Sequence, residues 1–228
     1  MLPQPLAAVI FDMDGLLLDT ETVCRDAMFR VCTDFGYAMT DDLFLSLVGS
    51  PKEANEKRLT AHFGVAFPLL DFEKGCRAAM RDICVSNVPL KPGARDLLEF
   101  LGRARIARGV ATSSGRDEAE EHLERAGVLA LIDVLVARDD ITHGKPHPQS
   151  FLRAAERLGA KPAQCLALED SYNGVRAAHA AGMATIMVPD MLPPTPEMRL
   201  LCIAVAESLT EVRHMVERAL SPAPSSAG

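Results

Sequence analysis

The chain has no Cys-x-x-Cys pair, no excess of basic residues, no repeat of 20–50 residues and no apolar run long enough to cross a membrane. Each absence excludes something. The six cysteines stand at 24, 32, 76, 84, 165 and 202 of a 228-residue chain. A chain of that length buries enough core to need no disulfide scaffold, so reduced thiols and a cytoplasmic location are expected. Lys and Arg total 24 against 31 Asp and Glu, a formal net charge of -7. Neither nucleic acid nor an anionic membrane is therefore expected as a partner. A small anion stays compatible, because a local site can oppose the global charge. The five residues before the first apolar run carry two prolines and no Lys or Arg, so no secretory signal is expected. What is present, 48% hydrophobic and 24% charged residues, suits one to two globular domains at about 150 residues each.

Residues 6–11 are apolar on both faces and read as a fully buried strand. Helical spacing then dominates to about residue 88, with helices predicted over 21–35, 41–48, 51–63 and 71–85. From residue 89 the pattern alternates. Helices are predicted over 92–101, 116–126, 148–158, 173–181 and 209–220. Strands are predicted over 106–112, 132–136, 165–168 and 184–188, with an edge strand at 203–206. Alternation of this kind implies an α/β fold, a Rossmann-like parallel sheet with helices on both faces. The segment 18–88 interrupts it as an inserted all-helical domain. Residues 1–17 and 89–220 form the core, and 221–228, rich in Pro, Ser, Ala and Gly, is expected to be disordered.

Open parallel sheets bind ligands beyond the carboxyl ends of their strands. The residues there are Asp12-Met13-Asp14-Gly15, Thr112-Ser113-Ser114-Gly115, Gly144-Lys145-Pro146 in a loop, and Glu169-Asp170. Asp12 and Asp14 are two apart and share a side if the strand conformation persists. Carboxylates gathered from several strand ends repel one another and imply a cation. Oxygen-only ligands select a hard ion, and Mg2+ is the expectation. Lys145 and the metal would flank an anion whose oxygens meet Thr112 and the N–H groups after it. Carboxylate nucleophile, metal, lysine and hydroxyl together describe phosphoryl transfer.

Those four segments, in this order, resemble the motifs of the haloacid dehalogenase superfamily, from Leu6 to about Leu220. Asp19-Thr20-Glu21 before a helical insert, with Asn173-Gly174-Val175 and Ala181-Gly182-Met183, is similar to the branch of β-phosphoglucomutase-like phosphatases; pseudouridine-5'-phosphate and sugar-phosphate phosphatases belong nearby. The resemblance implies a phosphoric monoester hydrolase acting on a small phosphorylated metabolite; monomer is the default expectation, since nothing in the sequence sets the oligomeric state. It implies Asp12 as nucleophile and metal ligand, and Asp14 as general acid and base whose carbonyl ligates Mg2+. It further implies Asp170 as metal ligand with Glu169 beside it, Thr112 and the Ser113 N–H on the phosphoryl group, and Lys145 as the neutralising cation. Segment 18–88 corresponds to the family's cap, hinged at 18–21 and 87–90. Its specificity loop corresponds to Gly49-Ser50-Pro51-Lys52, which makes Lys52 a candidate contact for the distal part of the substrate, with Asn55 next to it.

A sugar phosphomutase is the alternative within that branch. Mutases there commonly carry a histidine where this chain has Cys24 and an arginine where it has Lys52, and both departures weaken that reading. Asp14 argues against the dehalogenases, which lack the second aspartate. His143 and His147 flank Lys145 at i, i+4, but Gly144 and Pro146 preclude a helical ligand pair, so metal binding by them is not expected. Phe63, Phe67 and Phe72 are expected in the core of the insert.

Overall fold

The computed structural model describes residues 2–48, 50, 52–86 and 88–221. A six-stranded, all-parallel sheet runs in the order β3-β2-β1-β4-β5-β6. Its strands are β1 (Ala8–Phe11), β2 (Ala107–Ala111), β3 (Val134–Val136), β4 (Cys165–Glu169), β5 (Ala184–Met187) and β6 (Ala204–Val205). The chain leaves β1 for β2 and β3 on one side and returns to β4, β5 and β6 on the other. The strand order thus reverses at β1, and such a switch point opens a crevice at the carboxyl edge.

Strand alternation distributes the core. Val9 and Phe11 of β1 pack with Leu97, Leu98, Leu101, Leu123, Val212 and Val216. Those residues come from α5 (Ala94–Arg103), α6 (Arg116–Arg125) and α10 (Leu209–Leu220). Ala8 and Ile10 point the other way and pack with Phe151, Ala154, Ala177 and Ala178. These belong to α7 (Gln149–Arg157) and α8 (Tyr172–Ala180). With both faces covered, β1 is apolar throughout and wholly buried.

Between β1 and α5 lie four helices, α1 (Thr20–Asp34), α2 (Asp41–Leu47), α3 (Lys52–Phe63) and α4 (Leu69–Ser86). They gather a separate cluster that includes Ala27, Val31, Phe44, Leu47, Phe67 and Phe72, with Phe63 packed against it. Two short runs join this segment to the sheet. Asp19 N donates to Pro89 O at 2.8 Å and Lys91 N donates to Leu17 O at 2.9 Å, beside an antiparallel bridge of Leu18 to Leu90.

The helix α9 (Pro196–Leu201) was not anticipated. Its signal is local: the Thr195 hydroxyl accepts from Met198 N at 3.3 Å, and Pro196 opens the first turn. β3 begins two residues later than the periodicity suggests, after a 3-10 turn over Leu129–Leu131. Gly49, Pro51 and Asn87, parts of the expected specificity loop and hinge, lie outside the described residues, as does the tail beyond Ser221. Among the described residues no helix is long and apolar enough to cross a membrane.

Candidate active site

The ends of β2, β1 and β4 are neighbours, so the register delivers their next residues to one place. Phe11 lies opposite Val110 on one side and Leu168 on the other. Asp12 N donates to Leu168 O at 3.0 Å, which seats Asp12 beside Glu169. Asp12, Glu169 and Asp170 each offer a carboxylate oxygen within 4.8 Å of the others.

Lys145 reaches this group from the loop after β3. Its ammonium donates to Asp12 Oδ1 and to Glu169 Oε1, and it stands 5.1 Å from the centre of the Phe151 ring. Gln149 Oε1 holds that loop by accepting from Thr142 N at 3.1 Å and His143 N at 2.8 Å. His143 and His147 lie with ring centres 4.7 Å apart and planes tilted by 31°, outside the carboxylate group.

Burial dominates the electrostatics. It raises the Asp12 carboxyl, against the opposing pull of Lys145 and with help from Asp14. It lifts Glu169 to about 7, again against Lys145. Asp170 is raised well above the carboxylate range by burial and then by Asp12 and Glu169. Burial alone would lower Lys145, but Asp12 and Glu169 outweigh it and raise the ammonium. Lys145 is thus committed between two acids, and Asp170 is left over: its Oδ1 is buried with no hydrogen-bond partner among the described residues. An orphaned carboxylate oxygen beside two further carboxylates fits a hard divalent cation.

Glu169 is fixed from below by α8. Ser171 Oγ donates to Glu169 Oε2 at 3.0 Å and accepts from Gly174 N at 3.1 Å, so one hydroxyl caps the helix and anchors the acid. Gly174 passes so close that a Cβ there would overlap the Glu169 carboxyl group.

Asp14 faces a different set. Its Oδ1 accepts from Thr20 Oγ1 at 3.0 Å, and its Oδ2 accepts from Ser114 Oγ at 2.8 Å and Thr112 Oγ1 at 3.4 Å. Thr112 is buried beneath, where its hydroxyl also accepts from Ser114 N at 3.0 Å. A cleft of about 510 Å³ opens over the group, lined by Asp12, Asp14, Ser113, Lys145 and Asp170 and walled by Glu21, Val48 and Ser50.

The structure therefore brings Asp12, Asp14, Thr112, Ser113, Lys145, Glu169 and Asp170 together. Lys52 stands elsewhere. It lines a second cleft of about 430 Å³ with Cys24 and Asn55, and it bonds Glu73 of α4 at 2.8 Å. Asn55 donates to Leu47 O at 3.0 Å and Ser50 O at 3.4 Å, holding the α2–α3 turn. Glu21, Val48 and Ser50 border both clefts. Three polar partners escaped the sequence reading: Thr20 and Ser114 on Asp14, and Ser171 on Glu169. Each is one or two residues from a motif acid or hydroxyl, but only the folded contact distinguishes it.

Known proteins resemble this chain in sequence and fold. Residues 9–188 match the family described as haloacid dehalogenase-like hydrolase. A phosphorylated carbohydrates phosphatase of Thermotoga maritima is 35% identical over 79% of this chain and 84% of its own. A fructose-1-phosphate phosphatase of Escherichia coli is 34% identical over 80% of this chain and 96% of its own. A solved hydrolase of the same family from Deinococcus radiodurans, holding phosphate and sodium, superposes with a TM-score of 0.82 at 26% identity, covering 96% of this chain and 99% of that one. With the match running through all four strand-end segments, the chain belongs to the haloacid dehalogenase-like hydrolases.

Proposed function

We propose that this protein is a Mg2+-dependent phosphatase that hydrolyses a small phosphorylated metabolite, a sugar, polyol or nucleoside monophosphate, through an aspartyl-phosphate on Asp12. The observation that carries the reading is Asp12, Glu169 and Asp170 within 4.8 Å of one another, at a cleft into which Lys145 also projects. Relatives named for phosphatase activity on sugar phosphates support it.

Asp12 attacks phosphorus, the ester P–O bond breaks, and the leaving oxygen takes a proton from the Asp14 carboxyl. Water then attacks the acyl phosphate, Asp14 takes back a proton, and inorganic phosphate leaves with Asp12 regenerated. Thr20 and Ser114 hold Asp14 from both sides, which fixes the acid while its proton moves. Lys145 holds Asp12 in place and meets the negative charge of the incoming group. The Ser113 N–H and the Thr112 hydroxyl serve the phosphoryl oxygens. Asp12, Asp170 and the Asp14 carbonyl would hold Mg2+, with Glu169 behind them; bound there, the ion offsets charge on the phosphoryl oxygens.

On this reading 1–17 and 89–220 are the catalytic core. Segment 18–88 is the cap, whose Glu21 and Ser50 close the cleft and exclude bulk water. The enzyme works as a cytoplasmic monomer without nucleic acid or membrane. A mutase must hold a second phosphate, and Lys52, the cation the sequence offers for one, lines the second cleft and is paired with Glu73.

The test is inorganic phosphate release from hexose, pentose, polyol and nucleoside monophosphates, with Mg2+ and with EDTA. Metal-dependent release should concentrate on one class. Asp12→Asn should lose about 10⁴–10⁶-fold in turnover. Full activity of that variant overturns the mechanism. No release, with β-glucose 1-phosphate converted to the 6-phosphate once a bisphosphate is added, overturns the phosphatase.

A further inference from the structure

The acid field extends past the strand ends discussed so far. Asp190 follows β5, and its side chain is 8% exposed. Lys91 Nζ donates to its Oδ1 at 2.7 Å and stands 3.5 Å from Asp19 Oδ1. Its Oδ2 is buried and has no hydrogen-bond partner among the described residues.

The direction of that oxygen is fixed by Gly15. A Cβ on Gly15 would lie 2.5 Å from Asp170 Oδ2 and 3.3 Å from Asp190 Oδ2. The two carboxylates, from the ends of β4 and β5, thus meet over the bare backbone next to Asp14. Asp170 Oδ1 is likewise buried and unpartnered. Glu21 also senses Asp190, which is the largest charge acting on it after burial.

Among the described residues both lysines near the site are already engaged. Lys145 is shared by Asp12 and Glu169, and Lys91 by Asp190 Oδ1 and Asp19. Among the described residues no donor reaches Asp190 Oδ2, which leaves that oxygen open to a bound water. Mg2+ keeps several of its waters when it binds, and such water points its hydrogens outward and needs acceptors. We infer that Asp190 is an outer carboxylate of the divalent-cation site, its Oδ2 accepting from a water in the shell of the ion held by Asp170, with Lys91 orienting it. The inference rests on the cation site of the proposed function.

Titration calorimetry of Mg2+ into the substrate-free protein at pH 8 tests it. Asp190→Asn keeps the shape and can still accept from Lys91, but its NH2 would set hydrogens against the hydrogens of the water. The Mg2+ dissociation constant should rise about 10–100-fold. Glu21→Gln removes a neighbouring carboxylate that does not face Asp170 across Gly15, and it controls for charge alone with a distinctly smaller loss. Should Asp190→Asn not fold, Asp190→Ala carries the same expectation. Lys91→Met breaks the same ion pair while keeping the carboxylate, so it should not reproduce the Asp190→Asn loss; an equal loss would reduce Asp190 to a structural partner and overturn the inference. An Asp190→Asn affinity equal to wild type, or to Glu21→Gln, also overturns it while leaving the phosphatase reading intact. A wild-type protein that binds no Mg2+ overturns both.

Discussion

Replacing Gly174 by alanine adds one methyl group to the first turn of α8, where helix propensity alone would favour it by about 0.8–1 kcal/mol. The structure reverses the sign. The added Cβ would fall on the Glu169 carboxyl group, closest to Oε1 and Cδ. Glu169 is fully buried, and its oxygens are committed to Lys145 and Ser171. It can move aside only by abandoning them. Overpacking costs about 1–3 kcal/mol, and losing a charge-assisted bond about 1.5–3 kcal/mol. Against a propensity gain of at most about 1 kcal/mol, Gly174→Ala should lose about 2–5 kcal/mol. For a chain of this size that lowers Tm by about 5–20 °C. Turnover should fall too, because Lys145 loses one of the acids that hold it against Asp12. Gly144 is the control. It adjoins Lys145 in the sequence, yet a Cβ there meets nothing within 4 Å, so Gly144→Ala should stay within about 0.5 kcal/mol of wild type. Thermal melts and phosphate release on the two variants settle the matter. A Gly174→Ala protein melting at or above wild type with full turnover would refute the close packing of α8 on the site.

Lys145→Met keeps the length of a side chain only 7% exposed but leaves Asp12 and Glu169 without their shared counter-charge. Breaking such a buried pair costs about 3–5 kcal/mol; urea denaturation at pH 8 should show it, and unchanged stability would refute the pairing. Glu21 is raised from 4.5 to about 7, first by burial and then by Asp190, Asp14 and Asp12, with Lys91 opposing. Its folded value exceeds its unfolded one, so its contribution is full below the unfolded value and is lost as pH rises through about 7. That loss amounts to about 3 kcal/mol. Glu21→Gln should escape it and be more stable than wild type at pH 8 but not at pH 4; parallel stability–pH curves for the two proteins would refute the burial of this carboxyl.

The parts of the site legible in the sequence are those placed by single strands. Asp12, Thr112 and Asp170 each follow an apolar run, and a parallel sheet sends every such end to one edge. Lys145 is legible from its motif, and only the fold shows its contact with Asp12 and Glu169, since its loop is held by Gln149 rather than by a strand. What stayed hidden depends on how separate elements approach. Lys52 starts α3 and reads as a candidate substrate contact, but only the fold shows that α4 brings Glu73 to 2.8 Å from it. Asp190 belongs to none of the four motif segments, and only the fold shows it buried after β5 against Lys91. The importance of Gly174 is invisible beside that of Gly144, because only the docking of α8 decides which glycine has no room for a methyl group.

The acidity of the chain and the anionic substrate are reconciled by that same burial. Asp12, Glu169 and Asp170 are all raised by loss of water, so none of them holds its charge easily unless a cation is near. Lys145 compensates two of them and leaves Asp170 uncompensated. A phosphate monoester entering that field meets one ammonium against several carboxyls. On the proposed function, a divalent ion held by Asp170 would tip the balance, converting a cluster that repels phosphate into one that accepts it. The net charge of -7 therefore says little about the ligand. The sign that matters is set within a few ångströms of β1, at the point where the strand order reverses.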